Sequence, residues 1–138
     1  MIKIHMGLKC SGKTKSIIQA VNDAVNVEHG NVVCIEDGNR LMHDISRKAR
    51  MIDTEEFNLR NFDMFEGLVC GVLAQDYDVT HIFIDSILKN VKNASMEDLD
   101  KFITDLEKFE KKFNVSFTIM VSADPSEAGE NVKKYIVE

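Results

Sequence analysis

Near its start the chain carries a glycine-rich pattern that is typical of phosphate-binding loops. Residues Gly7-Leu8-Lys9-Cys10-Ser11-Gly12-Lys13-Thr14 match GxxxxGK(S/T) at every fixed position. The glycines permit backbone angles that turn successive N–H groups toward a phosphate. The lysine ammonium reaches the outer phosphates, and the threonine hydroxyl is a ligand for Mg²⁺. The pattern predicts phosphate binding by Gly7, Leu8, Lys9, Cys10, Ser11, Gly12, Lys13 and Thr14, a catalytic role for Lys13, and Mg²⁺ ligation by Thr14.

A carboxylate further along the chain is a candidate partner for that loop. Asp85 ends the apolar run His81-Ile82-Phe83-Ile84. The carboxyl end of a parallel strand faces the ligand crevice of an α/β sheet. We therefore expect Asp85 to hold Mg²⁺, directly or through a water molecule. The alternative is a solvated aspartate that caps the following turn.

The elements that must position these residues are short strands that alternate with helices. The strands are nearly continuous apolar runs, a pattern typical of strands buried on both faces. They are predicted at Ile2–Met6, Val32–Ile35, Ala49–Asp53, Val79–Ile84 and Val115–Val121.

Amphipathic periodicity predicts helices between those strands. They cover Gly12–Val27, Asn61–Gln75 and Met96–Phe113, and a last helix opens with Asp124-Pro125-Ser126-Glu127. Gly67 and Gly71, four residues apart in the second helix, are expected to allow close packing on the sheet. Strands that alternate with helices predict a three-layer α/β/α sandwich around a mostly parallel sheet of about five strands.

Length and composition restrict the class of protein further. With 138 residues, the chain is predicted to form a single domain, residues 1–138. Its net charge of -6 argues against general binding to nucleic acid, which needs many Lys and Arg contacts. No stretch approaches the roughly 20 apolar residues that span a bilayer. The N-terminus lacks the apolar region of a signal peptide, so we expect a cytoplasmic protein with no membrane partner.

The sequence resembles the core of RecA-like P-loop NTPases. The resemblance rests on the phosphate loop, on Ile84-Asp85-Ser86, and on Cys34-Ile35-Glu36-Asp37 at the end of the strand that follows the first helix. It covers the order of segments from Met1 to about Val121. The chain also looks like small bacterial P-loop proteins that are sometimes labelled twitching-motility PilT-like. It lacks the further acidic and histidine motifs of that retraction motor, so we do not adopt that function.

The resemblance implies a P-loop NTPase fold that binds ATP and Mg²⁺. In RecA-like enzymes the catalytic carboxylate lies on the strand end that matches Glu36 and Asp37. Either residue would then orient the attacking water. The simpler interpretation is an acidic turn, because Glu-Asp-Gly-Asn is a composition that turns favour.

Two further features of the family have weaker counterparts here. Ser122 and Asp124 follow the last strand and are candidates for sensing the terminal phosphate, although Asp124-Pro125 also predicts a helix cap. No arginine finger can be assigned. Arg40, Arg47, Arg50 and Arg60 lie in one region, and a neighbouring subunit or another protein partner could complete the site.

The sequence therefore predicts a slow, Mg²⁺-dependent ATPase, with ATP favoured mildly over GTP. The slowness is inferred from the missing Glu beside Asp85 and from the unassigned arginine finger. One alternative is a nucleotide-dependent switch or assembly module without useful turnover. Another is a nucleoside kinase, because Gly7–Thr14 is similar to the loop of bacterial thymidine kinases. The chain lacks their cysteine zinc ribbon, and Ser86 replaces the Glu that they place after the aspartate.

Overall fold

The protein is an α/β domain built on a five-stranded, all-parallel sheet. The computed structural model describes residues 1–8 and 12–137. The strands are β1 (Ile2–Met6), β2 (Asn31–Glu36), β3 (Arg50–Asp53), β4 (Val79–Ile84) and β5 (Ser116–Val121). The helices are α1 (Lys13–Val27), α2 (Phe62–Gln75), α3 (Ile87–Asn90), α4 (Met96–Phe113) and α5 (Glu130–Lys133). The predicted α/β class and the parallel sheet are confirmed.

The order of the strands determines where the sheet can accept a ligand. The strands lie side by side in the order β1-β5-β4-β2-β3. The chain leaves β4 toward β5 on one side and leaves β2 toward β3 on the other. Because these connections diverge, a crevice is expected at the carboxyl ends of β2 and β4. Those ends carry Glu36 and Asp85.

Apolar side chains on the two faces of the sheet form two separate clusters. The larger cluster joins α2, α4 and α5 to one face, with Phe65, Leu99 and Phe117 fully buried. The smaller cluster joins α1 and the segment 41–49 to the other face. Strand residues alternate between the two clusters, as the pleat requires: Cys34 packs under α1, whereas Ile35 packs toward α2 and α4. Helices therefore pack on both faces of the sheet. None of the helices in the described parts of the chain is long and apolar enough to cross a membrane.

The C-terminal region differs from the single helix that the sequence predicted. The Asp124 carboxylate accepts a hydrogen bond from Ser126 N, so the cap itself is confirmed. However, this cap opens only a 3₁₀ turn, Pro125–Glu127, because Ala128 and Gly129 are extended. The short helix α5 then begins under a long-range cap: the Asp100 side chain in α4 accepts hydrogen bonds from the backbone N–H groups of Asn131 and Val132.

The glycines of α2 were also predicted incorrectly. Gly67 and Gly71 are exposed, and a Cβ placed on either would meet nothing within 4 Å. Close approach occurs instead at Gly30, where the chain enters β2. A Cβ at Gly30 would lie 2.2 Å from the Asp78 carbonyl oxygen and 2.3 Å from the Thr80 side chain. Only glycine permits this contact between the turns that precede β2 and β4.

This difference predicts opposite effects of the same substitution on the free energy of unfolding. Gly30→Ala should destabilise the protein by about 1–3 kcal/mol, because backbone must move to admit the methyl group. Gly67→Ala should stabilise it by roughly 0.5–1 kcal/mol, because alanine is the better residue inside an exposed helix. Urea unfolding of both variants and the wild type would measure this. Equal effects at the two positions would contradict the packing described for Gly30.

Candidate functional site

The loop between β1 and α1 brings a lysine and a glycine of unusual conformation together. Gly12 has φ 85° and ψ 9°, the left-handed conformation that glycine adopts without strain. The Lys13 ammonium donates hydrogen bonds to the carbonyl oxygens of Gly7 and Leu8, at 2.7 and 2.8 Å. The ammonium is therefore held over the loop. The predicted binding residues Lys9, Cys10 and Ser11 lie outside the described residues.

The start of α1 has the electrostatic character that anions require. Within the described residues, no side chain caps the helix at Gly12, and its first turn contains no acidic residue. The first N–H groups of a helix have no intrahelical partner, and they give this end a partial positive charge. Thr14 lies in this first turn and is exposed. The start of this helix therefore suits a phosphate group.

Asp85 is a buried carboxylate at the end of β4. Its side chain is on the face of the sheet covered by α1, two residues beyond Phe83, and the residue is only 4% exposed. Its backbone N–H continues the sheet by donating to Ile35 O at 2.9 Å. Burial raises the pKa of Asp85, although the positive charges of Arg40, Lys89 and Lys13 oppose that shift.

The electrostatics of Asp85 fit a divalent cation. Burial in a medium of low dielectric constant penalises the charged carboxylate, and the surrounding cations do not offset that penalty fully. A bound Mg²⁺ would favour the ionised form and prefers oxygen ligands of this kind. Asp85 and Thr14 are therefore compatible with the predicted Mg²⁺ site.

Glu36 is the second buried carboxylate, at the end of the neighbouring strand β2. It is 1% exposed, and both of its carboxylate oxygens accept the N–H of Leu41 at 3.2 Å. Burial raises the pKa of Glu36; the Leu41 N–H lowers it, and the negative charge of Asp85 raises it further. Arg40 forms a loose ion pair, with its Nε 3.8 Å from Glu36 Oε1. Glu36 and Asp85 therefore share one electrostatic environment on the α1 side of the sheet.

Asp37 belongs to a different group of side chains. Its carboxylate lies close to those of Asp53 and Glu55, with ligand atoms within 4.8 Å of one another. Asp53 is engaged there, because its Oδ1 accepts hydrogen bonds from the N–H groups of Gly38 and Glu55. The two alternatives from the sequence, Glu36 and Asp37, thus have distinct surroundings. Only Glu36 is buried beside Asp85.

A buried hydrogen-bond chain, which the sequence analysis missed, ties the strand ends together. The Thr54 hydroxyl lies 3.3 Å from Glu36 O and 2.5 Å from Asn90 Oδ1. The Asn90 amide donates to Asp85 O at 2.6 Å and to Ser86 O at 3.2 Å. Thr54 and Asn90 are 2% and 4% exposed. This chain links the ends of β2, β3 and β4, and so fixes the backbone that carries both carboxylates.

Backbone strain occurs immediately after Asp85. Ser86 has φ 47° and ψ 60°, a left-handed conformation that is uncommon for a residue with a side chain. The conformation turns the chain from β4 directly into α3, whose last residue is Asn90. Strained residues of this kind persist only where their surroundings over-determine them. The two hydrogen bonds from Asn90 meet that condition here.

Ser122 follows β5, the strand that separates β1 from β4. It is half-buried, and the neighbouring Val121 carbonyl accepts a hydrogen bond from Gly7 N at 3.2 Å. Ser122 thus lies between Gly7 and Asp85 at the carboxyl ends of the strands. Asp124 is exposed and its side chain caps the 3₁₀ turn, so Ser122 is the better placed of the two predicted sensor residues.

Several of the predicted residues that the structure describes lie at the carboxyl ends of neighbouring strands. In order across the sheet they are Gly7 after β1, Ser122 after β5, Asp85 after β4, and Glu36 at the end of β2. With strands about 4.8 Å apart, the end of β1 and Asp85, two strands away, are separated by roughly 10 Å. Asp37 is the predicted catalytic residue that lies with a separate cluster. No family model matches the sequence, and no curated protein matches it.

The burial of Asp85 predicts a pH-dependent stability difference in the absence of ligands. Its pKa in the folded protein lies above the ordinary value near 3.8, so the native state keeps a proton that the unfolded chain has lost. This carboxyl therefore lowers the free energy of unfolding as pH rises through that interval. Asp85→Asn should melt above the wild type at pH 8, and the difference should shrink toward pH 4.

Thermal melting in EDTA over this pH range measures the effect. Asp44→Asn, which neutralises an exposed carboxylate, is the control and should show no such trend. An Asp85→Asn variant that melts below the wild type at every pH would contradict the penalty of burial.

Proposed function

We propose that the protein binds ATP with Mg²⁺ and hydrolyses it slowly, in the manner of a RecA-like P-loop ATPase. The observation that carries this proposal is the meeting of two independent features at one sheet edge. A helix start with a lysine held over the preceding loop lies near two buried carboxylates of adjacent strands. A glycine-rich turn alone would need no such carboxylates. The sequence motif supplies the chemical identity of the ligand.

Each residue then has a role that follows from its position. Lys13 and the N–H groups at the start of α1 bind the outer phosphates. Thr14 and Asp85 would hold Mg²⁺, which would supply positive charge against the phosphates. Ser122, at the end of β5 between β1 and β4, contacts the terminal phosphate.

Glu36 is the proposed water-orienting residue, with Asp37 as the alternative. The water oxygen attacks the terminal phosphorus, and the bond from that phosphorus to the bridging oxygen of ADP breaks. The carboxylate accepts the proton of the water and later returns it to solvent. Burial raises the pKa of Glu36, which makes its carboxylate a stronger proton acceptor than an exposed one. The Leu41 N–H that holds both of its oxygens keeps the group in one orientation.

A second candidate, phosphoryl transfer to a small molecule, is favoured by one observation. A cavity of about 310 Å³ lies at the ends of β2, β3 and β4, lined by Asp37, Asn58, Lys89, Lys92 and the buried Asn90 among others. Its volume falls at the lower end of the range of small-molecule sites. Asn90, which lines this cavity, donates a hydrogen bond to the Asp85 carbonyl oxygen. The cavity lies toward the β3 end of the strand order, away from the loop that follows β1.

Binding is the first expectation to test. ATP or ADP with Mg²⁺ should raise the melting temperature by several degrees at 100-fold saturation, since this adds about 2.7 kcal/mol of stability. Lys13→Ala should abolish the shift, because the charge that holds the outer phosphates is gone. Lys111→Ala removes an exposed lysine in α4 and is the matched control. GTP in a parallel series tests the choice of base. No shift with any nucleotide would overturn the proposal.

Hydrolysis is the second expectation. Glu36→Gln should lower turnover by about 10²-fold or more while leaving the affinity for ATP unchanged, because it removes only the proton acceptor. Asp37→Asn should have little effect. The amounts of ADP and of phosphate released are measured separately. Glu97→Gln, on the exposed face of α4, is the control.

Each outcome of this experiment selects a function. Unchanged turnover in a Glu36→Gln, Asp37→Asn double variant would refute the assignment of either carboxylate. Binding without turnover in the wild type would favour the nucleotide switch. ADP in excess of phosphate, in the presence of a panel of nucleosides and sugars, would favour phosphoryl transfer.

A further inference from the structure

The segment 37–49 between β2 and β3 contains Arg40 and packs against α1. Leu41, Ile45 and Ala49 are buried with α1 in the smaller apolar cluster. Asn22 in α1 adds two hydrogen bonds: its amide donates to Asp44 O at 2.9 Å, and its Oδ1 accepts from Ser46 N at 2.8 Å. The segment is thus fastened to α1 although it forms no helix or strand.

Arg40 precedes the residue that binds Glu36. Because Leu41 N donates to both oxygens of that carboxylate, the backbone at residue 40 is held beside the end of β2. The Arg40 Nε lies 3.8 Å from Glu36 Oε1, beyond hydrogen-bond distance, and the side chain is 63% exposed. A guanidinium carries five N–H donors. In the described parts of the chain, none of these donors forms a hydrogen bond, so they remain available to a ligand.

The charge of Arg40 also acts on the second buried carboxylate. Among the cations that lower the pKa of Asp85, Arg40 has the largest effect, ahead of Lys89 and Lys13. The guanidinium therefore lies within electrostatic range of Glu36 and Asp85 together. A phosphate that reaches from the loop toward these carboxylates brings further negative charge to a site that already holds two of them. An additional cation is needed at this point.

We propose that Arg40 contacts the terminal phosphate of bound ATP and stabilises the charge that develops on it during transfer. This assignment rests on the proposed function and makes the arginine part of the same chain, so that no neighbouring subunit has to supply it. The planar fork of a guanidinium matches two phosphate oxygens at once. Hydrogen bonds to a phosphoryl group strengthen as it becomes planar and detaches, so the effect falls mainly on the transition state.

A purely structural role would have different consequences. An arginine that only balanced the charge of Glu36 and Asp85 would, when removed, lower the melting temperature without ligand. It would affect the ground-state and transition-state complexes alike. Binding of ADP with aluminium fluoride, which imitates the transferring phosphoryl group, separates these roles and does not depend on turnover.

The experiment compares Arg40→Ala, Arg40→Gln and Arg40→Lys with the wild type, and uses Arg60→Ala as an exposed control at the start of α2. Affinities for ADP and for ADP with aluminium fluoride are measured by calorimetry in Mg²⁺, together with turnover. Arg40→Ala and Arg40→Gln should bind ADP within about threefold of wild type. They should lose at least tenfold in turnover and in affinity for the transition-state analogue, and the loss in turnover can reach the roughly 10³–10⁵ that arginine fingers supply. Arg40→Lys should recover part of both.

Three results would overturn the proposal in distinguishable ways. If the wild type binds and hydrolyses ATP and the Arg40 variants do so equally well, the role of Arg40 is refuted and the proposed ATPase function stands. Equal losses for ADP and for the analogue, with a lower melting temperature, would indicate the structural role. A wild type that binds no nucleotide would refute the proposed function and the Arg40 assignment with it. If Arg40→Ala fails to fold, the polar variant Arg40→Gln carries the same comparison.

Discussion

The rest of the site depends on the burial of two carboxylates at the ends of adjacent strands. Glu36 and Asp85 follow paired positions of β2 and β4, and both are almost fully buried. Desolvation raises the cost of ionising both carboxylates, and the negative charge of Asp85 raises that cost further for Glu36. Ordinary folding would not select such a pair, because apolar side chains of similar volume would stabilise the sheet more. Cation binding or catalysis would explain why two carboxylates are buried here.

Hydrogen bonds between neighbouring residues hold the strand ends that carry Glu36 and Asp85. Thr54 and Asn90 satisfy backbone groups at three strand ends, and Asn90 also supports the strained turn at Ser86. A buried polar network of this kind is stabilising only when each member has its partner. The network uses one side chain from the turn after β3 and one from α3. The positions of the two carboxylates therefore depend on hydrogen bonds that join the carboxyl ends of β2, β3 and β4.

The sequence predicted those parts of the molecule whose signals are local. The bounds of β1 and β4 were correct because each is a short run dominated by apolar residues, in which only Lys3, His5, Thr80 and His81 are polar. The errors arose where a distant residue decides the outcome. Asp124-Pro125 signals a cap whether a long helix or a 3₁₀ turn follows, and the actual start of α5 depends on Asp100 in α4. Thr54 and Asn90 carry no local signal, because hydroxyl and amide side chains occur throughout turns.

The same reasoning explains why Arg40 could not be selected from its sequence neighbours. Arg47, Arg50 and Arg60 have the same chemistry, and nothing in the spacing of the four residues separates them. What separates Arg40 is that Leu41 binds Glu36 and that Asn22 fastens the following segment to α1. Lys13, Glu36 with Arg40, and Asp85 come from three connections of the sheet that meet only when the parallel strands are in register. A ligand that bridges them would bind the folded state alone, so its binding energy would stabilise the β1–β5–β4–β2 order itself.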